Sequence, residues 1–242
     1  TYKQSSKVTE EEWNQDPQNV WLARGSSYRL SAEMIRDNAL AASGLLVSQV
    51  GGSSVRPYQP EGLWIDKGNF SKKLLRYKIT PGDSLYRRSL YTFIKRTSPH
   101  PAMTAFDAPN RDVCMVKREK TNTPLHALVL MNDPQFVECA RVLATKLQKE
   151  TDGLENQIIY GFRSVTGRRP TKEEIEIFTD LYNTQLKRFQ KDRKAVNEIL
   201  SVGQYPTDTK LKKPETAALA VLTSTMINHD EAYMKRSGLI NH

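Results

Sequence analysis

The sequence predicts a mainly α fold, an irregular helical bundle with a long Gly/Pro-rich connection and room for one small two-stranded ribbon. Three observations carry that reading. Apolar residues recur at helical spacing over much of the chain, Pro and Ser/Thr/Asp mark helix starts, and strand-like alternation is confined to short pieces.

The opening segment is polar, and Asp16-Pro17 marks a turn. Ser31 is placed to cap a helix, with Glu33 in its first turn where the dipole favours negative charge. Ile35, Ala39, Ala42 and Leu46 form one apolar stripe, which Gly51-Gly52 closes. Residues 51–83 are rich in Gly, Pro and Ser, with Tyr58 and Trp64 embedded; such a stretch is either functional or strapped down by its aromatics. Ser84–Arg96 fits helix and strand templates equally, and a ribbon between it and Val113–Arg118 is the expectation.

From there the pattern is helical. Thr123 and Asp133 each precede a proline, the arrangement of a cap followed by Pro at the first helical position. Phe136, Val137, Ala140, Leu143, Ala144 and Leu147 make a wide apolar face. A further helix is expected over about 154–165, stopping at Gly167. Thr171-Lys172-Glu173-Glu174 reads as a capping box, followed by Ile175, Phe178, Tyr182 and Phe189 at helical spacing. A flexible loop is expected over 203–214, and a last helix over 217–227.

The 242 residues are read as one mainly helical domain, 1–242, excised from a longer protein, because Thr1-Tyr2-Lys3-Gln4 opens without an initiator Met. A subdivision at 1–150 and 151–242 is the alternative. No apolar run reaches the ~18 residues of a membrane span, so no membrane insertion is expected. The formal charge is +9, and residues 85–120 alone hold eight Lys/Arg against three acids. Such a patch suits nucleic acid, an anionic polysaccharide or an acidic partner domain, or else a solvated surface with internal ion pairs; an anionic-polymer binder would depend on Lys72, Lys73, Arg87 or Arg88. Cys114 and Cys139 form no CxxC, so two ordinary thiols or one disulfide are the choices.

No phosphate loop, dinucleotide fingerprint, zinc-protease helix or nucleophile elbow is present. The polar density lies in Phe106–Phe136, FDAPNRDVCMVKREKTNTPLHALVLMNDPQF. Within it, Asp107 could act as a base or clamp Arg111 after the Ala108-Pro109 turn. His126, in the first turn of its helix, suits a neutral base or a structural donor. Arg111, Arg118, Asn122 and Asn132 are the anion-binding candidates, with Asn132 and Asp133 equally suited to caps and turns. Ser164, Thr166 and Arg168-Arg169 precede a helix N-terminus, where an anion or a plain turn would fit. His229-Asp230-Glu231 is a poor metal set, since three consecutive helical residues do not converge on one ion. Neither a metal nor a cofactor is expected.

The strings Leu22-Ala23-Arg24-Gly25, RLSAEMIRDNAL from Arg29, VRPYQPEGLW from Val55, LYRRSLYTFIKRT from Leu85, and Phe106–Phe136 resemble a known family. It is the C-terminal domain of unknown function (family 1553) of planctomycete and Bacteroidetes envelope proteins, which often carry a cytochrome c-like domain upstream. The resemblance spans nearly the whole chain and is weakest over 185–215. It implies a periplasmic or cell-surface protein, upstream domains of the same polypeptide as partners, and no nucleic acid. It supplies no catalytic residues. His126 stands where many relatives carry Gln, which weakens a catalytic role for it, and an envelope setting would favour a Cys114–Cys139 disulfide. Two functions follow as expectations: a domain-packing or ligand-binding module, or an enzyme or binder acting on anionic (sulfated) polysaccharide.

Overall fold

The computed structural model describes residues 4–65 and 77–236. Lys72 and Lys73 lie outside the described residues. The protein is mainly helical, and two long helices set its centre: α5 (Pro134–Glu150) and α9 (Lys213–Ile227). They pack along each other more extensively than any other described pair. Cys139, Leu143, Ala144 and Leu147 of α5 meet Leu219, Ala220, Leu222 and Met226 of α9 in one core, all essentially without solvent exposure. Thr223 sits between the helices and donates its hydroxyl to the Ala140 carbonyl at 2.7 Å. A buried hydroxyl must find such an acceptor.

Around this pair lie α2 (Ala32–Ser43), α4 (Pro124–Asn132), α6 (Leu154–Thr166), α7 (Lys172–Lys191) and α8 (Arg193–Leu200). Short helices α1 (Glu10–Gln15), α3 (Pro101–Ala105) and α10 (Asp230–Tyr233) complete the helical set among the described residues. The starts are chemically marked. Ser31 and Asp133 cap their helices by side chain, and Thr171 and Glu174 form a reciprocal capping box, each satisfying amides that no carbonyl inside the helix can reach. Gly161 on α6 has Leu147 and Met226 against it, and a Cβ there would lie 2.9 Å from the nearer one; its lack of a side chain sets how closely α6 approaches the central pair.

Several expectations are corrected. Helix α2 stops at Ser43, because Gly44 takes a left-handed conformation (φ 81°) and turns the chain before Gly51-Gly52 is reached. The ribbon does not join 84–96 to 113–118. It pairs β1 (Tyr28–Arg29) antiparallel with β2 (Met234–Lys235). Residues 82–86 and 89–91 are 3-10 turns, and every residue of 111–120 is exposed. The alternation in 84–96 reflects turns that bury Leu85, Tyr86, Arg87 and Ser89 on one side, with Leu90 left 70 % exposed. The helix expected from residue 171 forms as read and runs to Lys191, after which Asp192 caps a separate α8.

The loop before α9 is not loose. Arg141 of α5, 1 % exposed, donates to the carbonyls of Val202 and Tyr205 and to the Thr207 hydroxyl. Gly203, at φ 89°, lies directly on the Glu138 carboxyl, and a Cβ there would overlap it. Gly203→Ala is expected to destabilise the protein by roughly 2–4 kcal/mol, through steric overlap and an unfavourable φ together. Denaturant unfolding measures this, and it should leave the far-ultraviolet helix signal of the folded state unchanged.

Candidate functional site

Two polar centres organise the described residues. The first is Glu138 on α5, with no solvent exposure. Its Oε1 accepts from the Tyr86 hydroxyl at 2.9 Å, the Tyr58 hydroxyl at 3.2 Å and the Tyr205 amide at 2.8 Å. Gln135, one turn earlier, donates to Oε2 at 3.3 Å, and the Arg141 guanidinium lies 3.9 Å away. Gln135 in turn accepts from Arg36 of α2 at 3.0 Å. Arg36 also donates from its two terminal nitrogens to the Leu85 and Arg87 carbonyls and the Ser89 hydroxyl. Burial and the neighbouring Glu138 push the Tyr58 and Tyr86 phenols well above their ordinary range, so both remain protonated donors. Apart from Arg36 Nε, which has no hydrogen-bond partner among the described residues, the donors and acceptors of this circuit serve each other.

The second centre surrounds Asp107, which takes a left-handed backbone (φ 58°) just after α3. Its carboxyl accepts from the Arg29 guanidinium at 2.5 Å, the Thr121 amide at 2.7 Å and the Thr121 hydroxyl. Partial burial pushes the carboxyl up, but the Thr121 hydrogen bonds and the Arg29 charge outweigh it and hold Asp107 below the usual carboxylate range. Arg29 also donates to the carbonyls of Thr121 and Phe106. The effect is to pin both ends of the exposed segment 108–120.

His126 of α4 is buried beside this centre, its ring stacked on Phe106 with centroids 4.8 Å apart. Burial and the Arg29 charge push its pKa down, so the ring is neutral at neutral pH. Neither ring nitrogen makes a hydrogen bond of good geometry, although the Ala105 carbonyl lies near enough to act on it. His126 does not reach Asp107 by hydrogen bond, and Asp107 clamps Arg29, not Arg111.

The anion-binding candidates are dispersed. Arg118 forms a two-pronged ion pair with Glu33 at 2.8 and 3.0 Å. Arg111 and Asn122 are exposed, and Asn132 donates to the Leu128 carbonyl within its own helix. Asp133 caps α5, and burial raises its carboxyl to about 6. Arg168 is held between Glu174 and Glu231, so the turn at 164–169 is occupied by its own ion pairs. Arg87 is buried and donates to the Gln49, Gly51 and Ser53 carbonyls, leaving it unable to meet a polymer. Cys114 is exposed and Cys139 lies in the core, both as free thiols, so the disulfide does not form. No group of His, Cys, Asp or Glu among the described residues is arranged to hold a metal ion.

Sequence reasoning missed Glu138, Arg36, Gln135 and Arg141. The available signal was their position: each falls on the apolar side of an amphipathic helix, where a charge demands a partner.

The geometry defines a helical bundle braced by buried arginines, with no assembled nucleophile, base and oxyanion site among its described residues. The family profile described as "PSD1: Protein of unknown function (DUF1553)" matches residues 1–182, and the chain belongs to that family. No curated protein and no solved structure matches it.

Asp107→Asn is expected to destabilise the protein by about 1–3 kcal/mol, since it removes the charge that Arg29 faces and leaves a single neutral oxygen to accept from Arg29 and the Thr121 amide. Hydrogen exchange should rise most over 107–122. In wild type the Asp107 stabilisation is full above the unfolded pKa of about 3.9 and fades as pH falls through the lower folded value. An acid titration of the unfolding midpoint should show the wild-type advantage over Asp107→Asn vanish at the acid end.

Proposed function

We propose that this chain is a domain-packing module of a larger exported protein, and that it docks on the other domains of its polypeptide through α4 and the segment 110–120. The observation that carries this reading is an excess of exposed apolar side chains in one short stretch. Leu125, Leu128 and Met131 follow one face of α4 and are each more than half exposed. Val113 and Val116 are 69 % and 107 % exposed in the adjoining segment. Single exposed apolar residues need no explanation, but a concentrated set marks an interaction surface. Arg111 and Lys117 stand exposed among them, which suits a partner surface with acidic groups around an apolar ridge.

The two ends of this segment are fixed by Arg29, Asp107 and Thr121, and its middle by Arg118 on Glu33. An interface held in shape before contact loses less entropy on docking. In this reading the upstream neighbours are those of cytochrome c-associated envelope proteins, and the setting is periplasmic or cell-surface. Dispersal of Asp107, Arg111, Arg118 and Asn132 into separate contacts favours packing over catalysis on an anionic polysaccharide.

In the full-length polypeptide, residues 113–131 should exchange amide hydrogens more slowly than in this domain alone. Leu128→Glu should remove that protection while shifting the domain's own unfolding by less than about 0.5 kcal/mol, the usual range for a surface change. Equal exchange in both contexts would discard the docking surface. Salt-sensitive binding of heparin-like polymer that competes with the upstream domains would move the assignment to an anionic-polymer binder.

A further inference from the structure

The surface formed by α4 and 110–120 is rooted on a buried histidine. His126, in the first turn of α4, is 2 % exposed, and its ring stacks on Phe106 with centroids 4.8 Å apart and planes 24° apart. Neither ring nitrogen makes a hydrogen bond of good geometry. Phe106 is also where Arg29 attaches: the guanidinium lies 5.7 Å from the ring centre and donates to the Phe106 carbonyl at 3.3 Å. The same Arg29 binds Asp107, whose carboxyl receives the Thr121 amide. One packed unit therefore holds His126, the start of α4 and both ends of the 108–120 segment.

A neutral imidazole fits this place and an imidazolium does not. A buried charge needs a counter-ion and acceptors for its protons. The charges that act on His126 are Arg29, which repels a proton, and Asp107, whose carboxyl is already committed to Arg29 and Thr121. The Ala105 carbonyl lies near the ring but is neutral. Of the helices packed against α4, α3 has no ionisable side chain, and α9 has Lys213 and Glu215 in its first turn. Helix α5 has Glu138 and Arg141 in the Tyr58 circuit, Lys146, Lys149 and Glu150 in its far half, and Cys139, whose buried thiol is pushed up to about 12 and stays neutral. None of these groups on α5 and α9 acts on the His126 ring.

We propose that His126 is an acid-operated latch on this surface: protonation of its ring breaks the stack on Phe106, frees Thr121 from Asp107, and loosens 108–120 and the first turn of α4 together. Histidine is the side chain whose ordinary range suits such a switch. The consequence, release of a docked domain, rests on the docking reading; the opening itself does not. Burial first and the Arg29 charge second hold the closed ring below its ordinary value, so the opened form binds a proton that the closed form refuses. The closed form is fully favoured above the ordinary imidazole value of about 6.5 and loses ground as pH falls below it, until the closed ring is protonated too. Asp107 responds only further down, below about 3.9. Asp133, at the other end of α4 and raised to about 6, titrates with the opposite sign. The global unfolding midpoint mixes these effects, whereas the Thr121 amide reports the latch.

The test follows exchange of the Thr121 amide between pH 7.5 and 5.0 in this chain, wild type and His126→Gln, with the intrinsic pH dependence of exchange divided out. Wild-type protection should fall by up to about thirtyfold, the limit for a ring that keeps its ordinary pKa of about 6.5 only when open. His126→Gln retains His100, His229 and Asp133, and its protection should stay level. In wild type the His126 ring resonances should show a neutral ring at pH 7 that titrates below its ordinary value. An equal fall in wild type and folded His126→Gln would overturn the latch. If that variant does not fold, wild type decides alone: level Thr121 protection, or a ring that takes its proton at the ordinary value while still in contact with Phe106, overturns it. The docking reading is separated by the full-length polypeptide at pH 7.5. If that protects 113–131 no better than this chain while Thr121 responds as expected, the latch stands and the docking reading falls. Protection of 113–131 in the full-length protein that is lost by pH 5.0 in wild type and kept in His126→Gln would support both.

Discussion

A helical protein that carries a long stretch without regular structure must still pair that stretch's backbone carbonyls, and here buried guanidinium groups do it. Arg36 holds the carbonyls of Leu85 and Arg87, Arg87 holds those of Gln49, Gly51 and Ser53, Arg141 holds Val202 and Tyr205, and Arg29 holds Phe106 and Thr121. An arginine presents five donors in a fixed fork, so one side chain can fasten several carbonyls where a strand ladder is missing. Glu138 closes this system on the acidic side, gathering Tyr58, Tyr86, Gln135 and the Tyr205 amide around one carboxyl. Through it Tyr58, the turns over 82–91, α2, α5 and the loop before α9 are joined.

This constraint explains what the outside looks like. Polar groups engaged in bracing cannot also line a reactive cleft, and within 106–136 Asp107, Arg118 and Asp133 are spent on holding geometry. What stands exposed there includes an apolar set, the α4 face and the tips of 113–116, with charged residues such as Arg111 and Lys117 among them. Rigid anchorage by Asp107 and Arg29 next to an exposed apolar set is the arrangement of a surface prepared for contact.

Much of the helical frame was legible in the sequence, because caps and apolar spacing are local signals. Ser31, Thr171 with Glu174, and the Asp133-Pro134 pair mark their starts where the structure has them. Gly167 stops α6 as expected, in a left-handed cap. What could not be read was long-range. The β1–β2 pair joins Arg29 to Met234 across most of the chain, and no local alternation announces it. The loop at 201–212 has the composition of a mobile linker, yet its order comes from Arg141 and Glu138 on a helix far earlier in sequence. Asp107 was legible as a clamp but its partner was not, since Arg29 stands far upstream and Arg111 only a turn away.

The central claim is that the buried Glu138 circuit holds the irregular connection to the helices. Glu138→Gln tests it most directly, because the change preserves shape, removes the negative charge beside the buried Arg141 and replaces Oε2, the acceptor for Gln135, by a donor, leaving one neutral oxygen for Tyr58, Tyr86 and the Tyr205 amide. Equilibrium denaturation should show a loss of roughly 3 kcal/mol or more, and adding Tyr86→Phe should cost far less in that background than in wild type. A Glu138→Gln protein within about 0.5 kcal/mol of wild type, with additive Tyr86→Phe, would contradict the account.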